Sequence, residues 1–165
     1  MASLIQHWPQ APSNKRTYIK SQAEITRDLD SLYTADEAAH KSTRRFAQRK
    51  YLAAVYRLYW TWNRIDDAGR LTRRAAILCK HEIKSDPHPF RILIDLTTSE
   101  PDLKLRSRWQ RALRFVESQH IEPDKLLKFL RRHGGVSGCA RQAAYQFPSQ
   151  VRPLPHALVK DWYAS

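Results

Sequence analysis

The sequence predicts an all-α protein, a compact multi-helix domain of about six to seven helices with a helix-turn-helix-like C-terminal part. Three observations carry this. Glycine is scarce, four in 165 residues, and the nine prolines gather near the ends or at helix starts, where proline is tolerated. Apolar residues recur at three- and four-residue spacings along most of the chain. Five Trp, seven Tyr and five Phe are more large apolar groups than a disordered chain leaves in water, and a chain of this length can bury them in a core of its own.

The elements follow in order. Residues 1–14 contain two prolines and read as an arm, with Ile5 and Trp8 available to dock on the body. Residues 15–33 suit a mixed-charge helix with Tyr18, Ile25, Leu29 and Leu32 on one side. Thr34 is expected to cap a second helix over 35–63, with Asp36 and Glu37 in its first turn, where the helix dipole favours anions. Its second half places Leu52, Val55, Tyr56 and Tyr59 on one stripe. Its first half places Lys41, Arg44, Arg45, Gln48 and Arg49 on a shared face. One rod is therefore expected to have a cationic upper part and an aromatic lower part. Trp60 and Trp62 cannot both lie on the apolar stripe, so one of them should be exposed or meet a partner, such as a second copy of the chain.

Residues 63–69 should end that rod, and Leu71, Ala75 and Leu78 mark a helix lasting to about Lys84. The segment FRILIDLTT (90–98) alternates like a strand, but no second β-rich segment is present to pair with it. A lone strand would leave its backbone groups unmet, so a helix is expected. Ser99, Pro101 and Asp102 resemble a capping box for a helix whose face is Leu105, Trp109, Ala112, Leu113 and Val116. Pro123 and Asp124 open the next, with Leu126, Leu127 and Leu130 as core. Gly134 suits a left-handed helix stop, and Ser137 is expected to cap a short helix ending near Gln146. The domain organisation is thus a 1–14 arm, a 15–146 helical domain with a basic part over 35–84 and a helix-turn-helix-like part over 99–146, and a proline-interrupted 147–165 tail with one closing turn near 157–163.

Charge points to the function class. The chain carries 29 Lys and Arg against 16 Asp and Glu, a net charge of +13, enough to attract polyanions. Most of the excess lies in residues 41–80, with eleven basic residues and two acidic ones. Like charges at helical spacing repel by about 0.2–0.5 kcal/mol per pair, so stability gives no reason to accumulate them. A polyphosphate does, because each phosphate contacted releases a counterion, and guanidinium suits phosphate geometry. Lys41, Arg44, Arg45, Arg49, Arg73 and Arg74 are the expected phosphate contacts, extended by Arg108 and Arg111 on the later helix.

The run GGVSGCARQAA (134–144) supplies the small residues that two closely crossing helices need. Over about a dozen residues it resembles the first of the two crossing helices in bacterial helix-turn-helix regulators. The resemblance implies DNA binding, with Arg141 and Gln142 as candidates for base edges, since Arg pairs with guanine and Gln with adenine. The departure follows at once: Phe147, Pro148, Pro153 and Pro155 stand where a recognition helix should be. Either the helix from Ser137 itself enters a groove, or the motif is an ordinary packed corner.

The expected function is therefore a DNA-binding regulatory or accessory protein that contacts the phosphate backbone of duplex DNA, possible also as a homodimer. The alternatives are an adaptor binding an acidic protein, with Trp60 or Trp62 as anchor, and an RNA-binding protein that stacks bases on its aromatics. No cofactor is expected. Cys79 and Cys139 read as two buried reduced thiols, and the ligand spacing of a zinc site is absent. No Walker loop, nucleophile elbow or HExxH motif is present, so an enzyme is not expected. A phosphodiesterase would have to use Asp66, Asp67 and Asp95. No apolar run approaches a transmembrane helix and no secretory signal is evident. The expected location is the cytoplasm, at the nucleoid if the source is bacterial.

Overall fold

A computed structural model describes residues 20–44 and 46–148. The 1–14 arm, Tyr18, Arg45 and the 149–165 part of the tail lie outside the described residues, as does the start expected for the first helix. Among the described residues there are seven α-helices and no strand: α1 (Gln22–Lys41), α2 (Gln48–Ile65), α3 (Ala68–Leu78), α4 (Pro89–Thr97), α5 (Leu103–Ser118), α6 (Leu126–Arg132) and α7 (Gly135–Gln146). A 3₁₀ turn, Pro123–Lys125, leads directly into α6.

The first difference from expectation is where the chain breaks. Helix α1 opens at Ser21, whose hydroxyl accepts from the Glu24 amide (3.3 Å) while the Glu24 carboxylate accepts from the Ser21 amide (2.8 Å), a reciprocal cap. It then runs straight through Thr34, whose hydroxyl donates to the Asp30 carbonyl (2.9 Å) instead of capping a new helix. The interruption falls at residues 42–47, where Phe46 takes a left-handed φ of 75°. The single 35–63 rod is therefore two helices, and its expected cationic half is divided among the end of α1, a tight loop and the start of α2.

Asp36 explains part of this. It is not a first-turn anion but a buried anchor in the middle of α1. Its carboxylate accepts from the Thr98 hydroxyl (2.8 Å), the Ser99 amide (2.8 Å) and the Ser99 hydroxyl (3.0 Å), tying α1 to the α4–α5 link. Ser99 is thus occupied, and α5 begins four residues later, capped by Asp102, which accepts from the amides of Lys104 (2.8 Å) and Leu105 (3.3 Å). Asp36→Ala removes a buried carboxylate that accepts three hydrogen bonds from a partly exposed link and is expected to cost about 1–3 kcal/mol. A urea titration checks this, and a midpoint equal to that of the wild type would show the anchor to be dispensable.

Helix α2 runs through the middle of the bundle, in contact with α1, α3, α4, α5 and α6. It buries one broad face: Tyr51, Leu52, Val55, Tyr56, Tyr59 and Trp62 are all buried, while Lys50, Arg57, Thr61 and Arg64 stay exposed opposite. Each polar tip finds a partner, as burial requires. The Tyr51 hydroxyl meets the Thr97 hydroxyl (2.8 Å), Tyr56 donates to the Ile121 carbonyl (2.5 Å), Tyr59 donates to Glu117, and Trp62 Nε1 donates to Asp28 (2.7 Å). The dilemma of the two tryptophans resolves inward. Trp62 is fully buried, and Trp60 is half-buried with its ring 6.0 Å from that of Tyr56.

The segment over 90–98 is helical in the form of α4, started by Pro89 and by His88, whose Nδ1 accepts from the Phe90 amide (3.3 Å). Phe90, Ile92, Leu93, Ile94 and Leu96 are all buried, and a helix enclosed on nearly every side loses the period that would have identified it. Three smaller expectations change as well. Helix α3 stops at Leu78 rather than near Lys84. Leu127 is half-exposed, because α6 follows the 3₁₀ turn with Leu126 and Leu130 inward. Cys79 is exposed at the end of α3, whereas Cys139 is buried as expected.

Candidate nucleic-acid interface

The corner between α6 and α7 is tighter than a sequence pattern can show. Gly134 and Gly135 both take left-handed φ values, 77° and 74°, a conformation that costs other residues energy. Helix α7 starts at Gly135, two residues before Ser137, and no side chain caps it. A β-carbon on Gly138 would lie 1.9 Å from the His133 carbonyl oxygen, so only glycine fits where α7 leaves the turn. Helix α7 then packs chiefly on α5, burying Cys139, Ala140 and Ala143. Burial pushes the Cys139 thiol up to about 11, so it stays protonated and inert.

The opposite side of α7 presents Ser137, Arg141, Gln142 and Tyr145 to solvent. Tyr145 is 78% exposed. Arg141 and Gln142, the expected base-reading pair, are thus both accessible on one helix. A recognition helix beyond it would fall in 149–165, outside the described residues.

The expected phosphate contacts divide into groups. Arg44 is exposed in the α1–α2 loop, and Arg49 begins α2 with its guanidinium 3.9 Å over the Phe46 ring. The same guanidinium reaches α7: a β-carbon on Gly135 would lie 2.9 Å from Arg49 Nη2. The basic loop and the glycine corner, 86 residues apart in the chain, therefore meet in space. Neither Arg44 nor Arg49 is in ion-pair range of a described carboxylate, and Lys50, exposed beside them, is equally without one. A groove of about 550 Å³ between α1 and α2 is lined by Arg44, Phe46, Lys50, Ser42 and four alanines. Lys41 is nearby but pairs with Glu37 (2.7 Å) in an exposed bridge.

Arg73 and Arg74 do not join this group. They lie on α3, which departs from the far end of α2, and an eighteen-residue helix is about 27 Å long. Arg73 also pairs with Asp86 (2.9 Å), and Arg74 is half-buried. On α5, Arg108 is exposed, while Arg111 is half-buried with its Nε donating to the Ser107 carbonyl (3.4 Å). No described contact ties either of them to the Arg49 corner. The basic block is one segment of sequence, but its residues are spread over α1, a loop, α2 and α3.

The carboxylates that a phosphodiesterase would need have structural tasks. Asp66 pairs with Arg70, Asp67 caps α3 by accepting from the Arg70 amide (3.2 Å), and Asp95 is held by Arg91 (2.7 Å) and Arg106 (3.4 Å). Glu117 sits deeper. Burial raises its pKa, but the hydrogen bonds from His88 and Tyr59 outweigh this and hold it below the usual carboxylate range. Among the described residues no three His, Cys, Asp or Glu are placed to hold a metal ion, and no helix is long and apolar enough to cross a membrane.

Lys128, Arg131 and Arg132 were not among the residues singled out from sequence, although RRHGG places two arginines directly before the glycine turn. No family model matches the chain, and no curated protein or solved structure is similar enough to it to count as a match.

Proposed function

We propose that the protein binds duplex DNA, phosphate backbone first, and acts as a small regulatory or accessory factor. One observation carries this reading: Arg49 reaches the uncapped start of α7, whose exposed side carries Arg141 and Gln142, while Arg44 and Lys50 line the adjoining α1–α2 groove, all three without described carboxylate partners. Cations brought together without counter-charge repel one another in the free protein, and a phosphate backbone removes that repulsion while releasing counterions. The N-terminus of a helix adds its own attraction for anions. Arg141 and Gln142 would then lie on the helix that leads away from the phosphate contacts, where base edges can be reached.

The test is fluorescence anisotropy with a random 25-base-pair duplex across a salt series. Three to five phosphate contacts should give a log–log slope of about −3 to −4.5, and Arg44→Glu with Lys50→Glu should flatten it. Absence of binding at 50 mM salt would overturn the proposal. Preferential displacement of the duplex by single-stranded RNA would transfer the same surface to the RNA reading. The adaptor reading loses its Trp62 anchor, because that ring is sealed in the core.

A further inference from the structure

The contact between Arg49 and Gly135 does more than join two segments. It places the basic α1–α2 loop beside the turn that ends α6, and the last residues of α6 are Arg131 and Arg132. With Lys128 they stand at i, i+3 and i+4, so the three share one face of the helix. All three are exposed, and none is in ion-pair range of a described carboxylate. Arg132 and Gly135 are separated by only His133 and Gly134. The guanidinium that touches Gly135 is therefore within a few residues of two more that have no assigned task.

We infer that Lys128, Arg131 and Arg132 form the second half of a phosphate-binding edge for duplex DNA, with Arg44, Arg49 and Lys50 as the first half. This extends the reading above and rests on it. The two halves come from opposite ends of the sequence and are joined at the α6–α7 corner. A duplex seated there is gripped on both sides of the start of α7, which fixes that helix against it. The ordinary explanation for basic residues at a helix end is the macrodipole, which favours cations in the last turn. That accounts for one or two charges on a free helix end. It gives no reason for the corner that follows them to be approached by a further arginine without a carboxylate, Arg49, because like charges repel.

The two explanations differ in what they move. A macrodipole role changes stability and leaves the salt dependence of binding alone, whereas a phosphate role does the reverse. Arg131→Gln combined with Arg132→Gln should lower affinity for the random 25-base-pair duplex by on the order of tenfold or more at 0.1 M salt, and should reduce the magnitude of the log–log slope by about 2. Lys128→Gln alone should reduce it by about 1, and serves as the reading if the double variant melts early. Arg131→Lys with Arg132→Lys should keep the slope of the wild type, since the charge remains. Lys84→Gln, in the exposed α3–α4 link, should change nothing. If the wild type binds and both glutamine variants keep its slope, the second half of the edge does not exist and the Arg44–Arg49–Lys50 reading stands. If the wild type itself does not bind duplex at 50 mM salt, both fail together.

Discussion

Gly138→Ala is expected to destabilise the protein by about 3 kcal/mol or more, although alanine is the better helix former by roughly 1 kcal/mol. The added β-carbon would stand 1.9 Å from the His133 carbonyl oxygen and 2.9 Å from its carbon. That obstacle is backbone and cannot swing aside as the end of a side chain can. Relief requires α7 to lift from the turn, and α7 carries Cys139, Ala140 and Ala143 buried against the rest of the bundle. The overpacking is thus passed into the core, where misfit is costly. Urea unfolding with an unchanged m-value measures the loss. Ser137→Ala, on the exposed side of the same turn, should shift the midpoint by no more than about 0.5 kcal/mol equivalent. Equal midpoints for the two variants would show that the corner is loose.

Trp62→Ala should be the most damaging substitution in α2, at about 3–5 kcal/mol. The ring is wholly buried, and its Nε1 donates to Asp28 at 2.7 Å. Asp28 also holds Lys20, itself buried, and the Lys20 ammonium lies 5.9 Å from the Trp62 ring centre. Removing the indole therefore opens a cavity and takes a donor from a carboxylate that also anchors the start of α1. Trp62→Phe separates the two effects. It keeps most of the volume and removes the N–H, so about 1–2 kcal/mol is expected. Thermal or urea unfolding of the pair decides it, and a Trp62→Ala loss below 1 kcal/mol would contradict the packing described here.

Helices α5 and α4 show what a sequence can carry. Helix existence was legible wherever one apolar face met solvent on the other, as in α5, where Trp109, Ala112, Leu113 and Val116 are buried as their spacing indicated. It failed where burial came from several directions. Helix α4, buried at Phe90, Ile92, Leu93, Ile94 and Leu96, imitates a strand for that reason; Trp62, by contrast, stands three residues past Tyr59 and seven past Val55 on the same stripe, with Lys50, Arg57, Thr61 and Arg64 exposed opposite. The break at residues 42–47 was not legible either. No proline marks it, and Phe46 takes its left-handed conformation without the glycine that would have announced it.

The candidate site was legible in kind and not in place. The density of Arg and Lys over 41–80 is visible in composition, but linear proximity merged Arg49 with Arg73, which sits on another helix and pairs with Asp86. The same linear view missed Arg131 and Arg132, because the corner they lead into meets Arg49 only through a contact across 86 residues. The glycines of GGVSG were legible as a turn, and Gly134 is left-handed as its position indicated. Their closeness to a carbonyl and to a guanidinium belongs to tertiary packing alone.

The central position of α2 has a consequence for dissection of the molecule. A fragment ending at Ile65 would keep Arg44 and Arg49 but deprive Tyr59 and Tyr56 of Glu117 and the Ile121 carbonyl. A fragment beginning at Ala68 would keep the glycine corner and lose the strut it leans on. Neither half can serve as a minimal module, so shortened versions are poor tools here and point changes within the whole chain are the sound ones.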